Sequence, residues 1–231
     1  MLRTLVSVRV YGALRFGEYV VTHRPNPFVE AAPPEEPATF DIPDDIMGDR
    51  AVEHGPSSPE HLGLIGASDA SVEWPRTSIS DHRTITVFGL HGGAGASTVA
   101  ALFGDTALDA GQGFPVATGW ARPLPTLNVI AVARTHFAGL TVADEFTQAW
   151  ATGELTESNV LGLILIDDGP HLISDQKRMV KRLLKKTPKG GHIPWQEEWR
   201  HNPPDPSRLP LRIKRMIQTF QKTAQNGDER A

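Results

Sequence analysis

The sequence predicts an α/β fold built on a parallel sheet, and three observations carry that prediction. A β-branched run, Thr84-Ile85-Thr86-Val87-Phe88, leads into a glycine-rich turn, His91-Gly92-Gly93-Ala94-Gly95, and then into helix-compatible residues. Two further apolar runs, at 129–133 and 160–166, have the unbroken hydrophobic character of strands buried on both faces. Each run is followed by a helical pattern, and strands alternating with helices pair in parallel through right-handed crossovers.

Taken in order, residues 1–24 carry scattered apolar positions around Gly12 and Gly17, which reads as an arm or an added edge strand. Residues 25–82 are rich in Pro, Glu, Asp, Gly and Ser and have few apolar side chains to offset ordering entropy, so they read as a linker, largely disordered. Pro27-Phe28-Val29 and Glu73-Trp74-Pro75 stand out as anchors or as incidental hydrophobes of a solvated tail. Residues 83–225 hold the α/β domain. In it a strand at 84–88 precedes a helix over 97–110 stopped by Gly111, and a strand at 129–133 precedes a helix over 140–150 stopped by Gly153. A strand at 160–166 then precedes a basic helix over 173–186, and a short strand at His192-Ile193 precedes a last helix over 207–225 with Leu209, Ile213, Met216, Ile217 and Phe220 on one side. That stripe suits a helix docked on the sheet, or one lying on a membrane surface. Residues 226–231 read as a disordered tail.

Composition narrows the chemistry. The chain contains no cysteine, which excludes disulfides, thiolate metal sites and cysteine nucleophiles. No run reaches the roughly 18 apolar residues of a spanning helix, so a cytoplasmic location is expected. The net charge of -4 hides an asymmetry: residues 171–225 carry 13 bases against 4 acids, whereas residues 1–80 carry 12 acids against 6 bases. The basic excess falls largely on Lys177, Arg178, Lys181, Arg182, Lys185 and Lys186, pairs that recur every four residues around Met179, Val180, Leu183 and Leu184. Such a face is a candidate for DNA backbone, for the chain's own acidic N-terminal stretch, or for solvent. The nine histidines show no metal-binding spacing. Trp195 and Trp199, one helical turn apart beside Arg200, read as closing the core, or as a protein-binding groove if exposed.

The turn His91-Gly92-Gly93-Ala94-Gly95-Ala96-Ser97-Thr98 resembles the phosphate loop of ParA/MinD-type ATPases, which reads Lys-Gly-Gly-x-Gly-Lys-Ser/Thr-Thr. The three glycines and both hydroxyls match; His91 and Ala96 stand where that family has lysines. The resemblance implies a Rossmann-like P-loop NTPase sheet, ATP and Mg²⁺ as cofactors, and a phosphate cradle made by Gly92, Gly93, Ala94, Gly95, Ala96, Ser97 and Thr98, with Ser97 on the metal. Without the lysines it implies a pseudo-ATPase or weakly binding adaptor with a protein partner, in DNA partition, conjugation or mobile-element functions. Two alternatives stand beside it: an atypical ATP switch using Ser97 and Thr98 with another cation, and a DNA-binding accessory protein. A homodimer is a further expectation from this family. Arg134 could replace the lost cation, and His136 adjoins it. Leu163-Ile164-Leu165-Ile166-Asp167-Asp168 resembles a Walker B strand that would place Asp167 on the metal. A second threading accounts for more residues: it matches 129–168 and His192-Ile193-Pro194-Trp195 to the later strands of the superfamily, and leaves the Walker B unit deleted from the short gap at 111–127. Residues 92–200 also resemble an uncharacterised actinobacterial family of shortened ParA/MinD relatives.

Overall fold

The structure, a computed structural model, describes residues 45–59, 74–120 and 122–228. Its strands are β1 (Val52–His54), β2 (Arg76–Ile79), β3 (Ile85–Gly89), β4 (Ala107–Gln112), β5 (Phe114–Ala117), β6 (Asn128–Arg134), β7 (Asn159–Ile166) and β8 (Lys189–Ile193). The helices are α1 (Ala96–Phe103), α2 (Phe137–Ala151), α3 (Ser174–Leu183) and α4 (Leu211–Asp228). The main sheet runs β1-β8-β7-β6-β3-β4, parallel throughout except for β1 against β8, and β2 pairs with β5 in a small parallel ribbon.

The central strands are buried on both faces because their apolar residues are continuous, and alternation assigns each side chain to one of two cores. In β6, Val129, Ala131 and Ala133 face one core while Ile130 and Val132 face the other. In β7, Val160, Leu163 and Leu165 join the first core, and Leu161, Ile164 and Ile166 the second. Helices α2 and α3 cover the first face, through Leu140, Phe146, Val180 and Leu183. Helices α1 and α4 cover the second, with Val99, Ile213, Met216 and Phe220 all at 1 % exposure or less. At about 1.5–3 kcal/mol per buried large side chain, the α4 stripe is a strong docking interaction with the sheet. The helices therefore lie on both faces of a mostly parallel sheet, a Rossmann-like arrangement.

The structure departs from the sequence reading at several elements. The helix expected over 97–110 stops at Phe103, where Gly104 takes φ +62°, and the chain returns as strand β4 beside β3. Gly111 is inside β4 with φ +69° and is no helix stop. The gap at 111–127 contains β5, and the stretch read as a linker supplies β1 and β2. Trp74 is an anchor: it is 7 % exposed, edge-on to Phe146 at 5.7 Å, and Phe146 is edge-on to Phe88. Helix α4 continues to Asp228, into the stretch expected as a tail. The arm at 1–24 and the anchor Pro27-Phe28-Val29 lie outside the described residues. Because β3, β6, β7 and β8 are parallel, their carboxyl ends share one rim, where ligands bind in open α/β sheets.

Candidate functional site

The glycine turn connects β3 to α1 on that rim. Gly93 and Gly95 take φ +74° and +95°, conformations costly for any residue with a Cβ, and a Cβ on Gly95 would lie 2.8 Å from the Ile166 Cδ1. Gly95 caps α1 without a side-chain hydrogen bond, so the first-turn N-H groups keep their capacity for an acceptor. Together with the positive end of the helix, they make a concavity of the kind that suits an anion. Ala96 is 8 % exposed and packs in the core beneath α1, so the position that carries an ammonium in the resembling loop is here a small apolar contact.

His91 serves as a brace. Its Nε2 accepts from the Arg134 backbone N-H at 3.0 Å, and its Nδ1 donates to the Gly92 carbonyl at 2.9 Å, which together define the neutral tautomer. Its ring meets His136 edge-on, centroids 4.9 Å apart, while His136 caps α2 by accepting from the Gly139 N-H at 3.0 Å. Gly139 is small by necessity: a Cβ there would sit 2.2 Å from the Arg134 carbonyl oxygen and 2.9 Å from the His91 Nε2. This brace ties the glycine turn to the end of β6 and orients Arg134. The Arg134 guanidinium donates to the Asp167 carbonyl at 3.0 Å and passes about 4 Å from where a Gly95 Cβ would be, which sets a cation over the turn.

The two expected metal ligands are held by other side chains. Ser97 donates to the Asp109 carboxylate at 2.5 Å, and Asp109 also accepts from the Gly111 N-H at 2.9 Å. Asp167, 7 % exposed, accepts from the His192 Nε2-H at 2.9 Å, and His192 is 3 % exposed. His192 in turn receives Arg212, which binds Asp45. Both bonds leave lone pairs on the Ser97 hydroxyl and the Asp167 carboxylate, and no group of three or more His, Asp or Glu among the described residues is placed to hold a metal. Asp168 is likewise engaged, accepting from the buried Thr135 hydroxyl at 3.0 Å.

A cavity of about 800 Å³ opens beside the turn. Its lining includes Gly93, Ser97, Thr98, Arg134 and His136 of the turn and strand ends, and Trp195, Trp199, Arg200, Asn202 and Pro203 of the segment after β8. The loop after β8 is arranged around Glu197, which accepts from the Trp195 indole N-H at 2.8 Å and from Arg200 at 3.3 Å. The Trp195 hydrogen bond first, and then Arg200, hold the Glu197 carboxyl below its ordinary range. The Arg200 guanidinium lies over the Trp195 ring at 5.9 Å. The two tryptophans, read as closing the core or as a groove if exposed, are both half-buried and line the cavity, and Trp199 also packs against the core. Sequence reasoning missed Asp109, which it had placed in a helix.

The basic helix is less cationic outside than its sequence suggests. Lys177 is 9 % exposed on the buried side of α3, and Lys186 pairs with Asp144. Arg178 pairs with Asp175, and Lys181 and Lys185 line a smaller cavity shared with Asp45, Asp49 and Glu53. Lys177 therefore falls on the core side of the cationic face expected of it, and acids of the preceding segment lie beside two of the other lysines. In that segment Ile46 and Met47 are buried in the core. Burial alone raises the Asp45 carboxyl, but the hydrogen bond and charge of Arg212, with the N-H groups of Met47 and Gly48, outweigh it and lower the group.

Among known proteins, a family model described as a family of unknown function (DUF6668) matches residues 83–217. Comparison with curated proteins and with solved structures found no match. No helix of the described residues is long and apolar enough to cross a membrane.

Proposed function

The chain belongs to that family of unknown function, and we propose that it is a degenerate ParA/MinD-like adaptor that binds a phosphate-bearing ligand weakly in its glycine turn without hydrolysing it. The observation that carries this reading is the pairing of an intact turn, open at the N-terminus of α1, with a buried Ala96 where catalysis calls for an ammonium. Backbone N-H groups suffice to hold a phosphate. Stabilising charge that develops on a transferring phosphoryl group needs fixed cations and a positioned metal. Arg134 supplies one fixed cation at the turn through its tether to the Asp167 carbonyl, while His91 and Ala96 stand at both lysine positions. Ligand occupancy would then act on a protein partner through the rim of the sheet.

Calorimetric titration with ATP and ADP tests this reading. Arg134→Ala should weaken binding at least about tenfold, the effect of one charge-assisted hydrogen bond of about 1.5–3 kcal/mol. Ser97→Ala should leave it nearly unchanged. Binding that disappears in Ser97→Ala would point to a metal-dependent switch and contradict the proposal.

A further inference from the structure

The fold fixes where His136 carries its proton. Its Nδ1 accepts the Gly139 backbone N-H at 3.0 Å as the cap of α2, so in the neutral ring the proton is on Nε2 and that nitrogen is a donor. A flip of the ring would give up the cap, and His91 lies edge-on to it with centroids 4.9 Å apart. His91 is itself held at both nitrogens, by the Arg134 N-H and the Gly92 carbonyl. Among the described residues, His136 makes no hydrogen bond besides its cap, so its Nε2-H is left to solvent or to a ligand. A cap alone needs only an acceptor, and Ser, Thr, Asp and Asn are the residues that supply one best. What histidine adds at this position is the second nitrogen, and His136 lines the same cavity as Gly93 and Ser97 of the turn and the Arg134 cation.

Resting on the phosphate-binding reading of the turn, we infer that His136 is a ligand contact there: its Nε2-H donates to the anion that the turn and Arg134 receive, as a neutral donor of fixed tautomer. Arg134 attracts an anion by charge, whereas His136 adds direction without charge. The two contributions separate in their response to salt, because screening weakens the first and leaves the second. A hydrogen bond to a charged group is strong enough to change affinity by about tenfold or more.

Isothermal titration of the full chain with sodium tripolyphosphate at a series of sodium chloride concentrations tests the inference in the wild type, Arg134→Ala and His136→Ser. Serine keeps a capping acceptor, and melting temperatures are compared first. His136→Ser should weaken binding about tenfold at every salt concentration, parallel to the wild type, while Arg134→Ala should flatten the salt dependence. Unchanged affinity in His136→Ser overturns the inference and leaves the phosphate-binding turn standing. A flattened line in His136→Ser also overturns it, because the contact would then be a charge. A wild type that does not bind tripolyphosphate overturns both. If the serine variant melts early, nitrogen-15 NMR of the wild-type imidazole decides: Nε2 should be protonated, Nδ1 bare, and the Nε2 resonance should move with tripolyphosphate. A proton on Nδ1, or an Nε2 resonance unmoved at saturation, overturns the inference.

Discussion

Replacing His91 by lysine, the residue of the resembling phosphate loop, should damage this protein and not restore it. The His91 Nε2 accepts the Arg134 backbone N-H at 3.0 Å, and a lysine ammonium has three donors and no acceptor. The half-buried Arg134 N-H then loses its partner, which costs about 1–3 kcal/mol. The Gly92 carbonyl, on an exposed turn, also loses the Nδ1-H but can turn to water at little cost. For a domain of this size that loss lowers the melting temperature by about 3–10 °C, read by differential scanning calorimetry or circular dichroism. His91→Gln places an acceptor at similar reach and should recover more than half of the loss. The brace also orients Arg134, so His91→Lys should weaken ATP binding in the titration used above. A His91→Lys protein that melts at or above the wild type and binds ATP more tightly would show that a working lysine slot survives at this position, and would refute the reasoning.

Three other outcomes follow from the same geometry. Gly139→Ala, a change that helix propensity alone favours by about 1 kcal/mol, should destabilise the fold in urea titration, because the new Cβ meets the Arg134 carbonyl oxygen at 2.2 Å. The Asp45–Arg212 pair lowers the folded-state pKa of Asp45, so its contribution is fully present above the unfolded value near 3.8 and is lost as pH falls through the lower folded value. With Asp45 about half exposed the effect is under about 1 kcal/mol, and the urea midpoint of Asp45→Asn should lie below that of the wild type at pH 7 and coincide with it near pH 2. Any DNA held by the outer face of α3 meets at most Arg178, Lys181, Arg182 and Lys185, so log affinity should fall with log salt no more steeply than about -4; a steeper slope in gel shifts would place the contact elsewhere.

The elements legible in the sequence are those whose local composition and tertiary environment agree. Strands β3, β6 and β7 are continuous β-branched or aliphatic runs that nothing but a doubly covered sheet would bury, and α2 has both apolar spacing and a glycine stop. Strand β4 was not legible, because Ala107, Leu108 and Ala110 favour a helix and only pairing with β3 holds them extended. The backbone break at Gly104-Asp105-Thr106 was the available signal, and running the helix through Gly104 concealed Asp109. Strand β1 is three residues long and is fixed by β8, so no local pattern could announce it.

Within the site, the glycines and Arg134 were legible because turn chemistry and strand ends constrain where they can be. The roles of His91 and Asp167 were not, since each depends on a partner distant in sequence, Arg134 for the first and His192 for the second. Lys177 was placed on the outer face because pairs repeated every four residues leave the edge of a helical face undefined, and a long aliphatic stem can lie on the buried side of that edge. Trp195 and Trp199 have a spacing that serves a core or a cavity wall equally, and the short 3-10 turn at Glu197–Arg200 between β8 and α4 is what gives them to the cavity.

The most direct measurement of the central claim is a phosphorus NMR titration of ATP and magnesium with the full chain, followed over hours in the same tube. The account predicts that the three phosphate resonances broaden and shift with added protein while no ADP accumulates above the protein-free control. Resonances that stay sharp and unmoved, or steady growth of ADP and inorganic phosphate signals, would contradict it.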